Sequence, residues 1–154
     1  MIVFRGSLVT AEDYQYYPRS DRSLESAGQP RNPHILLVTA GGLANASPLG
    51  QFRVVYAGLV DSLTGASPQC ARFIDANGDS IYTTTTGQMS ETADGRVKSI
   101  IEFHTVTGGT GYYNGAVGSF TVTRLLTFAA DGLTGRSQGS FTGLIHVLFQ
   151  PPGL

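Results

Sequence analysis

Along this chain, short runs of alternating or continuous apolar residues are separated by glycines and turn dipeptides, and no stretch sustains the period near 3.6 that marks a long helix. The runs predict about eight β-strands, at residues 2–10, 34–40, 51–61, 70–75, 80–91, 96–107, 117–129 and 140–149. They are rich in threonine, valine, isoleucine and aromatics, which suit a pleated, half-buried surface. Asn77-Gly78, Asp94-Gly95 and Asp131-Gly132 each stand between two such runs. Dipeptides of this kind accept the positive φ of type I′ hairpin turns, so the pattern predicts an antiparallel meander. Several runs are long, which favours a closed barrel or strongly coiled sheet over a flat sandwich. Residues 11–33 read as a long polar connection carrying Tyr14, Tyr16 and Tyr17, with a short helix around 20–27 ended by Gly28. No repeat or linker divides the chain, so residues 1–154 are expected to form a single all-β domain.

Two runs break the clean alternation of a strand with one wet face. In 51–61, Phe52, Val54 and Tyr56 share one face while Val55, Ala57 and Leu59 share the other. In 34–40, Leu36 and Val38 oppose Ile35 and Leu37. An antiparallel strand that is apolar on both sides needs cover on both. A homo-oligomer, or the long connection folded over the barrel, would supply it.

Composition sharpens this picture. At 154 residues the chain can bury a sizeable core without metal or disulfide. Charged residues are only 14% of it, so much of its outer surface is uncharged or covered. The net charge is −1, Lys98 is the single lysine, and the arginines are scattered, which argues against nucleic-acid partners. Apolar runs such as 35–38 are far too short to cross a bilayer. The opening Met1-Ile2-Val3-Phe4-Arg5 lacks the basic start and apolar core of a signal peptide, which favours a cytoplasmic location. Cys70 is the only cysteine, so no disulfide forms within one chain, and it is expected to act as a small buried apolar residue. The tail Val147-Leu148-Phe149-Gln150 reads as the end of the last strand.

Four motifs invite a chemical reading that their context refuses. Gly135-Arg136-Ser137-Gln138-Gly139 fits the G-x-S-x-G of a hydrolase nucleophile, but it runs into a strand where that motif needs a helix. Asp75-Ala76-Asn77-Gly78-Asp79 resembles the start of a calcium loop, yet Ser80 and Thr86 stand where glycine and glutamate belong. Gly108-Gly109-Thr110-Gly111 has neither the lysine nor the following helix of a phosphate loop, so its glycines are expected to serve a chain reversal. His34, His104 and His146 fall on three different strands without metal-ligand spacing, and no metal is expected.

The polar residues in mid-strand are the candidate functional set. Glu102 and His104 share a face, and Arg124 interrupts the apolar run 122–128 of the next strand. Arg53, Arg72, Tyr56 and Tyr82 also lie within strands. Inside a barrel, Glu102, His104 and Arg124 would suit acid–base work, with Tyr56 and Tyr82 binding the ligand. On the outside they would be ordinary surface or subunit-contact residues. The choice depends on register, since Val97, Ile101 and Phe103 form an alternative inward set.

The stretch from Thr107 to Phe120, TGGTGYYNGAVGSF, resembles the "GGTG, aromatic, GA-x-G" signature of the allene oxide cyclase barrel-like group, which includes dirigent proteins. Gly139-Ser140-Phe141-Thr142-Gly143 is similar to the closing strand of its bacterial members. The resemblance covers about a third of the chain (residues 100–145), and Tyr112 stands where many relatives carry a basic residue. It implies an eight-stranded antiparallel, calycin-like barrel with a mostly apolar cavity, assembled as a dimer or trimer. It also implies a cyclase or isomerase that handles an apolar biosynthetic intermediate without a cofactor. The signature belongs to a turn of the fold, so it transfers no catalytic residue. A non-catalytic carrier or sensor, or a structural oligomer with a filled barrel, is the alternative.

Overall fold

The computed structural model describes residues 1–16 and 34–148. Eight strands form a closed antiparallel barrel in simple sequence order: β1 (Ile2–Tyr16), β2 (Ile35–Ser47), β3 (Gly50–Asp61), β4 (Ala66–Asp75), β5 (Ser80–Glu91), β6 (Val97–Gly109), β7 (Val117–Phe128) and β8 (Thr134–His146). β8 closes on β1, pairing Ile2 with Ile145 and Asp13 with Thr134. Closure leaves no strand edge unpaired, which suits a chain with too few charges to guard one. Period-two alternation decides the rest. Phe4, Leu8, Phe52, Val54, Phe73, Phe120, Val122 and Phe141 fill one half of the interior in edge-to-face and tilted contacts. A 3-10 turn at Gly111–Tyr113 leads into β7, and Tyr113 is buried against that core. At the opposite end Tyr14, Val38, Val60, Ile100 and Leu126 make a smaller apolar cluster, here called the mouth.

Several strands run further than the apolar pattern indicates. β1 continues through residues 11–16, so this part of the supposed polar connection is strand, with Tyr14 turned inward. β2 extends past Ala40 to Ser47, β4 starts at Ala66, and β8 begins at Thr134 and ends at His146. Small and polar residues such as Gly41, Gly42 and Gly135 dilute the apolar signal there, while ladder pairing still holds the backbone. Tyr17, the helix expected at 20–27, and Phe149 lie outside the described residues.

All three turn dipeptides sit in hairpins, but not as type I′ turns. Gly78 and Gly132 have positive φ, while Asn77 and Asp131 do not. The Gly78 amide bonds Asp75 O and the Gly132 amide bonds Ala129 O, giving a type I turn followed by a left-handed glycine. Gly95 lacks even the positive φ. Gly111 takes φ +55°, and a Cβ there would lie 1.9 Å from Asp79 Oδ1; one at Gly109 would lie 2.4 Å from Ser80 O. Gly109 and Gly111 of the GGTG stretch therefore serve backbone packing.

Cys70 is exposed, not buried, because it alternates with the inward Gln69 and Ala71 on β4. No helix among the described residues is long and apolar enough to cross a membrane.

Candidate functional site

Between the aromatic core and the mouth cluster the barrel carries a belt of buried polar side chains. β6 turns Glu102 and His104 inward, at 0% and 1% exposure. The β6–β7 register pairs Ile100 with Arg124 and Glu102 with Val122, so Arg124 and Glu102 are diagonal neighbours on the inner face. The guanidinium grips the carboxylate in a two-pronged fashion, Nε donating to Oε1 at 3.1 Å and Nη2 to Oε2 at 3.0 Å. Its Nη1 reaches the other way, to Glu12 Oε1 (2.5 Å), Ser137 Oγ (2.9 Å) and Thr10 Oγ1 (3.1 Å). Thr10 and Ser137 hydroxyls also donate to Glu12 Oε1. The Tyr56 ring lies under the guanidinium carbon at 5.1 Å, a cation–π contact.

His104 stacks on Phe120, with ring centroids 4.5 Å apart. Its Nδ1 lies 2.8 Å from Thr83 Oγ1, and its Nε2 lies 3.4 Å from Tyr56 Oη and 3.8 Å from Glu102 Oε1. Burial pushes the imidazole pKa down, against the pull of Glu102, so the ring is held neutral. Burial also acts to raise Glu102, but the contacts with His104 and Arg124 prevail and hold its carboxyl below the usual value. Tyr56 is pushed well above its ordinary value by burial and by Glu102, so it stays a hydrogen-bond donor. The belt thus combines a neutral base, a protonated phenol and an ion-paired carboxylate.

Among the described residues, three buried oxygens in this belt have no hydrogen-bond partner: Glu12 Oε2, Gln69 Oε1 and Thr85 Oγ1. Above it, at the mouth, a pocket of about 250 Å³ is lined by Tyr14, Leu36, Val60, Met89 and Phe128, with Lys98 and Glu91 at its rim. Tyr14 and Phe128 pack ring to ring at 5.3 Å and both line this pocket.

Four of the five residues singled out in the sequence, Glu102, His104, Arg124 and Tyr56, come together on the inner wall. Ile101 and Phe103, the alternative inward set, are exposed instead. Tyr82 is corrected to the outer face: it alternates with the inward Ile81 and Thr83 and stacks beneath Arg72. The cavity expected to be lined by these residues is not found there: Glu102, His104, Arg124 and Tyr56 are packed in the interior, and the pocket at the mouth touches none of the five. Thr10, Glu12 and Ser137 were missed. Glu12 falls in a segment that reads as a polar connection, and Ser137 in a G-x-S-x-G stretch that reads as a glycine- and serine-rich hairpin; two residues on from an inward Thr10, period two places Glu12. His34 and His146 are exposed and remote from His104 in pairing, and no group among the described residues could hold a metal.

No protein-family model matches the chain, and no curated protein matches it significantly. The barrel and its buried belt therefore carry the functional argument.

Proposed function

We propose that the barrel binds a small, largely apolar molecule through its mouth and acts on it as a cofactor-free cyclase or isomerase of the allene oxide cyclase-like kind. The observation that carries this reading is the buried Glu102–Arg124–Glu12 assembly beside His104 and Tyr56. A barrel otherwise filled with phenylalanine would be as stable, or more so, with apolar side chains in that layer, because desolvating charges costs several kcal/mol per ion, roughly what their pairing returns. Ionisable groups with shifted pKa values cluster at functional sites as well as in structural ion-pair networks, and the neutral imidazole beside the phenol is what favours the functional reading here.

In an isomerisation the neutral His104 Nε2 takes a proton from one substrate atom and returns it to another, so the protein ends unchanged. The Tyr56 hydroxyl donates to the oxygen where negative charge gathers, and Glu102, held by Arg124, steadies the transient imidazolium. Ring closure uses the same groups with positioning as the main contribution. Substrate reaches them when the Tyr14–Phe128 pair parts.

The test begins with organic extraction of the purified protein and mass spectrometry of what it carries. That compound and its isomers are then followed with wild type and with Glu102→Gln. Turnover by wild type, slowed at least about tenfold in a variant that still binds, is expected. A protein that neither retains nor is stabilised by any apolar compound overturns the reading. One observation favours a carrier instead: the mouth pocket does not touch His104. Binding without conversion would decide for it.

The outer face supports a homo-oligomer. Val9, Leu43, Val55 and Leu125 are about half exposed on neighbouring strands, around shallow grooves floored by Ala11 and Gly41.

A further inference from the structure

The belt is not electrically balanced. Among the described residues, Glu12 and Glu102 face one cation, Arg124, so the formal charges of the belt sum to one negative. Glu12 is 4% exposed, and its two carboxylate oxygens are used very unequally. Oε1 accepts from Arg124, Thr10 and Ser137, whereas Oε2 has no hydrogen-bond partner among the described residues. A carboxylate oxygen is an acceptor only, so what is missing is a donor, preferably a cationic one. Gln69 Oε1 and Thr85 Oγ1, a cross-strand pair on β4 and β5, are also without partners, and both can accept. Meanwhile the Arg124 guanidinium, the belt's strongest donor, is engaged on both its sides by the two glutamates and the hydroxyls. The belt offers acceptors to a newcomer far more readily than donors.

In register, Glu12 stands opposite Ala40 on β2 and Gly135 on β8, and the Leu126 side chain lies over that glycine. Tyr14 lies on the same face of β1, two residues nearer the mouth, which is a step of about 7 Å along a strand. Its ring packs on that of Phe128, and both rings line the mouth pocket with π-faces, which attract cations.

We infer that the ligand of this barrel is an amine with an apolar body, whose ammonium group docks on Glu12 Oε2 while its body lies along Tyr14, Phe128, Leu36 and Val60. This rests on the reading that the barrel binds a small molecule, and it names the class of that molecule. Fatty acids and other anionic amphiphiles are excluded, because they would bring a second excess negative charge against Glu12. Neutral alcohols satisfy the hydrogen bond but not the charge.

Isothermal titration calorimetry with n-octylamine, n-octanol and octanoate, which share one apolar body, tests this at neutral pH. The amine is expected to bind at least about tenfold tighter than the alcohol, and the carboxylate weakest. Glu12→Gln, which keeps an acceptor on the Arg124 side, is expected to erase the preference for the amine over the alcohol. If that variant fails to fold, the ranking on wild type decides alone. Alcohol binding as tight as the amine, or a preference for octanoate, overturns the inference and leaves the ligand-binding reading standing. Binding of none of the three overturns both. A crystal structure of the octylamine complex in which Glu12 Oε2 is held by water alone also overturns the inference.

Discussion

At the scale of single residues, the belt turns pH into a stability variable. His104 is buried neutral with a pKa below its ordinary 6.5, so the unfolded chain takes up a proton there before the folded chain does. Stability from this group is complete above about pH 6.5 and is lost as the pH falls through the depressed value. Glu102, depressed below 4.5, adds a loss of the same sign at still lower pH. The melting temperature should therefore fall between about pH 8 and pH 5, before the carboxylates are much protonated. His104→Gln should flatten that limb, and a variant that tracked wild type across this window would show that another group is responsible. A neutral His104 also sets the expectation for catalysis: activity fades as the ring is protonated, on the acid side.

At the scale of elements, the connection between β6 and β7 shows why a turn motif can look chemical and be mechanical. Gly111 combines a left-handed φ with a Cβ position already occupied by Asp79, whose carboxylate also accepts from the Tyr112 amide. Gly111→Ala should cost about 1–3 kcal/mol in urea unfolding. Gly95 has open space around it and an ordinary φ, so Gly95→Ala should stay within about 0.5 kcal/mol of wild type. Equal effects at the two glycines would mean that neither φ nor the close contact governs the turn.

At the scale of the whole molecule, closure of the sheet leaves a filled aromatic half, a polar waist and an apolar mouth, and the outer face of the described strands carries several exposed apolar side chains. Phe103 is 60% exposed on β6, while Val9 and Leu43 border a groove across β1 and β2. Fully burying a valine or leucine contributes about 1.5–3 kcal/mol, so covering the exposed half of each of these side chains would contribute about half of that, set against the entropy cost of association. Multi-angle light scattering at micromolar concentration should report a dimer or trimer. Introducing charge in the groove with Leu43→Glu should shift it to monomer while the circular dichroism of the barrel persists. A monomeric wild type would sink this expectation.

What the chain determines locally is the parity of each strand. Alternation, turn glycines and β-rich runs were enough to predict an eight-stranded all-β architecture and to put Glu102 and His104 on a common face, because side-chain direction has period two whatever the strand pairs with. Where a strand's apolar signal is thin, as along residues 11–16, pairing with β2 and β8 carries the strand on, and the one sequence signal for Glu12 is the alternation continued from Thr10. Which parity faces inward follows from closure, since one choice buries Phe4, Phe52, Phe73, Phe120 and Phe141 together and the other would bury Arg53 and Arg72 with Phe103. The site itself belongs wholly to the tertiary structure. Arg124 meets Glu12 across 112 residues of chain because β8, lying between β7 and β1, brings a serine and a glycine to the inner wall where bulkier side chains would keep the two charges apart. Register and barrel closure are collective properties of eight strands, and no local pattern contains them.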